Sequence, residues 1–130
     1  MITGVVLKEG TDVTIVATGL CVAESLEAAK ELEEAGISAA VINIHTIKPL
    51  DEELIVKYAK ATGKVVTVEE HSVIGGLGSA VCDCLCANAP TPVLKIGVND
   101  TFGESGPAVK LLEKYGLTKE NIVNKVKAFV

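Results

Sequence analysis

Four runs of apolar and β-branched residues alternate with segments of helical period: 13–18 (VTIVAT), 39–44 (AAVINI), 64–69 (KVVTVE) and 93–98 (VLKIGV). This alternation constrains the chain more than any other feature. Near-continuous apolar strands are those covered on both faces, and strands separated by helices pair in parallel. Right-handed crossovers between the four strands give a three-layer α/β/α domain. A shorter strand, Val5 to Lys8, precedes them across the turn Glu9-Gly10-Thr11. That spacing predicts a hairpin, with the first strand pairing antiparallel to the second at a sheet edge. The fold expected is a mixed five-stranded sheet with four parallel strands.

The helical segments carry their own punctuation. From Cys21 to Ala35, Val22, Leu26, Ala29 and Leu32 form an apolar stripe, Glu24, Glu27, Glu31 and Glu34 face solvent, and Gly36 is the stop. Asp51 is the expected N-cap of a second helix with Leu54, Ile55, Tyr58 and Ala61 inward and Gly63 as its end. Gly75-Gly76-Leu77-Gly78 opens a third helix reaching about Asn88, apolar on most sides and ended by Pro90 and Pro92. A helix from Pro107 to Gly116 follows, and Thr118 is expected to cap a last helix with Ile122, Val123, Val126 and Phe129 inward. A length of 130 residues suits one such domain.

Charge and composition exclude several functions. All twelve basic residues are lysines, seventeen are acidic, and the net charge is -5. With four aromatics and no Trp, the chain lacks the basic face and stacking platforms of a nucleic-acid binder. Anionic membranes are excluded on the same ground. No apolar run approaches the roughly 18 residues of a membrane span, and no basic, then apolar, leader follows Met1. A cytoplasmic location is the expectation. Without arginine there is no bidentate fork for phosphate, leaving Lys, His or backbone amides to hold an anion.

The carboxyl ends of parallel strands are where ligands sit. Here they are Gly19-Leu20-Cys21, His45-Thr46, Glu69-Glu70-His71-Ser72, and Asn99-Asp100 leading to Phe102-Gly103-Glu104-Ser105. His71 beside Glu69 and Glu70 is a candidate acid–base pair, although neighbours on a strand point apart. The alternative is a polar edge that docks on another domain or meets solvent. His45 reads as a loop histidine with a backbone partner. Gly75, Gly76 and Gly78 offer free amides to an anion or let the helix approach the sheet. Position 81 is Val, so this is no dinucleotide fingerprint, and no Gly-Lys-Ser/Thr makes it a P-loop.

Cys21, Cys82, Cys84 and Cys86 read as reduced thiols. Cys82 and Cys86 lie four apart on one helical face, without the ligand set of a zinc site. A buried, apolar role is expected for them, whereas Cys21 at a helix N-terminus is a candidate reactive thiol. Neither a metal loop nor a nucleophile elbow is present, and no catalytic constellation is complete.

The segments GTDVTIVATG (10–19), INIHTIKPLD (42–51), VVTVEEHSVIGGLGSAV (65–81), FGESG (102–106) and YGLTKENIV (115–123) resemble the C-terminal domain of transketolase, a thiamine-diphosphate-dependent enzyme. The stretch 65–81 is also similar to deoxyxylulose phosphate synthase and to 2-oxoacid dehydrogenase beta subunits. Leu20-Cys21 departs from the more polar residues of these relatives. The resemblance implies a mixed five-stranded sheet with the first strand antiparallel. It implies a fragment or separate subunit of a larger, cytoplasmic, dimeric enzyme of the pentose phosphate pathway. That enzyme transfers a two-carbon ketol unit between sugar phosphates, using thiamine diphosphate and magnesium or calcium held by its other domains. No residue here is then catalytic, cofactor-binding or metal-binding. The edge Glu69, Glu70, His71, Ser72, Gly75, Gly76 and Gly78 is left as an assembly surface or a regulatory nucleotide or anion site.

Overall fold

The computed structural model describes residues 4–45, 49–72, 76–98 and 117–130, with residues 71, 72 and 98 described by their backbone alone. Five strands form one sheet: β1 (Val5–Lys8), β2 (Val13–Ala17), β3 (Ala39–Asn43), β4 (Val65–Ser72) and β5 (Val93–Val98). Among the described residues four helices accompany them: α1 (Cys21–Glu34), α2 (Glu52–Thr62), α3 (Leu77–Asn88) and α4 (Lys119–Phe129). The expected helix 107–116 lies outside the described residues, as do Thr46 and residues 99–106.

The strand order is β1-β3-β2-β4-β5, with β1 antiparallel to β3 and every other pairing parallel. The four parallel strands and the antiparallel first strand are as expected. The hairpin is not: β3 lies between β1 and β2. The Glu9-Gly10-Thr11 link therefore crosses over the start of β3 instead of turning tightly. A Cβ at Gly10 would stand 2.2 Å from the Ala39 carbonyl carbon, so only glycine passes there. The crossing is fastened to Ser38, whose amide donates to Asp12 Oδ2 at 2.7 Å while its carbonyl accepts from the Asp12 amide at 2.8 Å. Glu9 also accepts from the Tyr58 hydroxyl at 2.6 Å. A two-strand sequence window cannot reveal a third strand that inserts later.

Two cores fill the layers. One joins α1 and α4 to Val13, Ile15, Ala17, Val41, Val66 and Val68; the other joins α2 and α3 to Val16, Ile42, Ile44 and Val65. Alternating strand residues serve opposite cores, as the period of 2 requires. On α1 the buried stripe runs through Cys21, Ser25, Ala28, Ala29 and Leu32, leaving Val22 and Leu26 at its margin. Ile37 N–H bonds Leu32 O and Gly36 N–H bonds Glu33 O, a Schellman stop with Gly36 at φ 86°. On α2, Asp51 caps by accepting from the Leu54 amide at 3.3 Å, and Gly63 closes the helix at φ 76°. Its buried positions are Ile55, Tyr58 and Ala59, whereas Ala61 is exposed. At about 100° per residue, Ala61 falls roughly 60° past Tyr58, outside the stripe of Ile55, Tyr58 and Ala59.

The last helix departs from expectation at its cap. Thr118 makes no side-chain capping bond. Glu24 of α1 reaches across instead and accepts from the Lys119 amide at 2.6 Å, while Lys119 Nζ pairs with Glu31 at 2.9 Å. Ile122, Val123 and Val126 are buried and Phe129 packs at the core margin, as expected.

Candidate functional site at the switch of the sheet

From β2 the chain goes through α1 to β3 on one side. From β4 it goes through α3 toward β5 on the other. β2 and β4 are neighbours, so the strand order reverses between their carboxyl ends. In open α/β sheets this is where a crevice opens between two helix N-termini. The sequence-selected residues Gly19, Leu20, Cys21, Glu69, Glu70, Gly76 and Gly78 meet at this place.

The chain's own carboxylates occupy it. Glu69 is 0% exposed. Its Oε1 accepts from the Leu77 amide and its Oε2 from the Gly78 amide, both at 2.8 Å. A buried charge is tolerable when it takes hydrogen bonds to the charged form at the positive end of a helix. The amides that an external anion would need at the start of α3 are thus engaged.

Gly78 brings that helix onto the sheet. A Cβ there would stand 2.9 Å from Lys95 Cγ and 3.0 Å from Thr67 Oγ1. Close helix–sheet approach is therefore what Gly78 supplies. Gly76 is the N-cap in extended conformation. Gly75 and the side chains of His71 and Ser72 lie outside what is described.

Glu70 points to the opposite face, where α1 begins. Gly19 turns there with φ 54°, and a Cβ on it would stand 2.2 Å from Glu70 Oε1. Conformation and space both require glycine. The Cys21 thiol lies 3.6 Å from Glu70 Oε2. Burial pushes that thiol far above its ordinary 9.0, and the Glu70 charge and hydrogen bond push it further. Cys21 is thus a protonated, fully buried thiol, not the activated thiolate expected from its helix-end position. Desolvation and a neighbouring carboxylate outweigh the helix amides. Cys86 is the exposed cysteine.

Leu20 is 52% exposed, an apolar side chain at the rim of the switch. His45 is also exposed beyond β3. Sequence reasoning selected Glu69 but missed its capping role. The available signal was an acid at a strand end, facing the side on which the next helix must start.

The family model described as "Transketolase, C-terminal domain" matches residues 3–122. The chain belongs to this family. A 6-deoxy-6-sulfo-D-fructose transketolase subunit of Clostridium sp. (strain MSTE9) is 56% identical over 117 residues, covering 90% of this chain and 36% of the relative. A 1-deoxy-D-xylulose-5-phosphate synthase of Heliobacterium modesticaldum is 48% identical over 120 residues, covering 92% of this chain and 18% of the relative. The solved structure of a split gene transketolase, an inactive beta4 tetramer, matches with a TM-score of 0.90 at 59% identity, covering 96% of this chain and 41% of that one. The chain spans less than half the length of each of these relatives.

Transketolase-family enzymes imply thiamine diphosphate and a divalent ion. The described residues of this C-terminal domain do not fit that pair. The α3 amides already hold Glu69, and no group of three metal-ligating side chains occurs among the described residues. A diphosphate brought to this crevice would meet two carboxylates.

Proposed function

We propose that this chain is the assembly domain of a transketolase, a single domain supplied as one part of a longer or split enzyme. The holoenzyme transfers a two-carbon ketol unit between sugar phosphates. Other domains hold thiamine diphosphate with magnesium or calcium, in a cytoplasmic homodimer of the pentose phosphate pathway. The identities to transketolase subunits support membership of such an enzyme.

The observation that carries the assembly role is the filled switch. Glu69 takes the amides that open α3 and the Glu70 carboxylate lies against the Gly19 turn before α1, while Leu20 and His45 remain outward on the same edge. A surface of this kind is matched by a protein partner whose polar groups pair across it. Glu70 to Ser72 with Gly75 and Gly76 are then a docking edge, held in place by the buried Glu69 and Gly78 behind it, and the isolated chain has no ketol-transfer activity.

Reconstitution tests this. Adding the 130-residue chain to the thiamine-binding part should restore ketol transfer that neither part shows alone. His71→Ala and Glu70→Ala in the complete enzyme should weaken assembly while leaving turnover of the assembled form within a few-fold. A large fall in kcat, with KM and oligomeric state unchanged, would move this edge into the active site.

The second reading is the C-terminal domain of a related thiamine enzyme, such as deoxyxylulose phosphate synthase, favoured by the 48% identity to one. Assaying pyruvate-dependent condensation beside ketol transfer separates the two. A 2-oxoacid dehydrogenase beta subunit would restore neither activity.

A further inference from the structure

On α3, Cys84 turns into the core with Val81 and Leu85, whereas Cys82 is half-buried and Cys86 exposed. Cys82 and Cys86 are four residues apart on one helix face, so their Cβ atoms stand about 5–6 Å apart. Lys95 of β5 reaches this helix, its Nζ 3.5 Å from Ser79 Oγ; burial raises the Cys82 thiol, Lys95 opposes that shift, and Cys86 and Asp83 add to it.

A disulfide needs Cβ atoms roughly 3.5–4.5 Å apart, closer than an intact helix turn offers. An inserted metal ion fits better. Two metal–thiolate bonds of about 2.3 Å, arranged in line, hold their sulfurs roughly 4.6 Å apart. Soft thiolates suit Cu(I) and zinc among the first-row ions, and Cu(I) accepts as few as two of them. Zinc wants four ligands, and no third ligating side chain joins this pair among the described residues.

We propose that Cys82 and Cys86 form a two-coordinate site for a soft monovalent d10 cation, with Cu(I) as the type ion and Lys95 offsetting the charge of the complex. Each thiol gives one proton to solvent as its sulfur bonds the metal. Two neutral thiols and Cu(I) become a bis-thiolate complex of charge -1, with no change of oxidation state. The site lies on the outer face of α3, away from the carboxylates of the switch.

Anaerobic titration of the reduced chain with acetonitrile-stabilised Cu(I) against a chromophoric chelator tests this. One equivalent should bind tightly to a chain of unchanged size. Cys82→Ser and Cys86→Ser should each weaken binding at least a hundredfold, and Cys84→Ala should leave it within threefold. Two results would overturn the site: a Cys86→Ser chain that binds as tightly as the parent, or a metal-bridged dimer seen by native mass spectrometry. The serine changes fall at a partly exposed and an exposed position, so far-ultraviolet dichroism should show both variants folded.

Discussion

Helices α1 and α3 start at neighbouring strand ends on opposite faces of the sheet, and their first turns are handled differently. The start of α3 holds Glu69, fully buried, with both oxygens bonded to amides. The start of α1 has Leu20 as N-cap, without a side-chain acceptor, and the Glu70 carboxylate sits against Gly19 and the Cys21 thiol. Two consecutive glutamates thus serve two faces. One is a structural cap. The other is half-buried and crowds a glycine turn. Identical chemistry one residue apart has unequal worth, because the pleat sends it to unequal surroundings.

Removing each glutamate should expose this inequality. Glu69→Ala leaves two buried amides unpaired and a cavity, and should cost about 3–5 kcal/mol. Glu70→Ala should cost under about 1 kcal/mol, since Cys21 is its weak partner. Urea denaturation of the two variants compares them directly. Equal losses would mean that Glu70 also caps a helix.

Two glycines sharpen the same contrast. Gly19→Ala meets both a left-handed backbone and the Glu70 carboxylate, and should cost roughly 1–3 kcal/mol. Adding Glu70→Ala should restore part of that loss, because the clashing atom ends a flexible side chain. Gly78→Ala gains about 1 kcal/mol of helix propensity against a shift of Lys95 and Thr67. Its net change should be smaller than that of Gly19→Ala in the same denaturation assay.

The thiols give the next largest effect. Cys86 should label first with an aromatic disulfide reagent, and Cys21 and Cys84 last. If Cys21 reacted first, the buried start of α1 would be wrong. The pH dependence has a definite sign. Burial raises the Cys21, Cys82 and Cys84 thiols above the 9.0 of an unfolded chain, so folding holds protons that unfolding releases. Their contribution is complete below pH 9.0 and is lost as pH rises beyond it. Tyr58 adds to this above 10.0, chiefly through its bond to Glu9. Midpoints measured between pH 7 and 10.5 should fall at the alkaline end, and less steeply in Cys21→Ala.

The parallel layers were legible because apolar runs and glycine stops state them locally. Asp51, Gly36 and Gly63 act within a few residues of where they stand, and the sequence placed them correctly. Contacts across the layers were not legible. Glu24 capping α4 spans 95 positions. The insertion of β3 beside β1 is likewise invisible to any window over 5–18. The alternation rule did separate Glu69 from Glu70. It could not say that the first would find amides and the second a thiol. Cys86 departs from the buried role expected of it because α3 is apolar on most sides and not on all, and Asp83, Cys86, Ala87 and Asn88 are exposed.

The crossing at Gly10 has a bearing on the order of events during synthesis. Of the described strands β1 is made first, yet the described strand it pairs with is β3, so it must wait while β2 and α1 are made. β1 therefore adds to a sheet already begun, with the loop-closure penalty of a distant partner. Its residues alternate between exposed and half-buried, unlike the fully buried β2. The first of these strands to be made is then the last to join and the first to fray, and its amides should exchange with deuterium well ahead of those in β2 and β3.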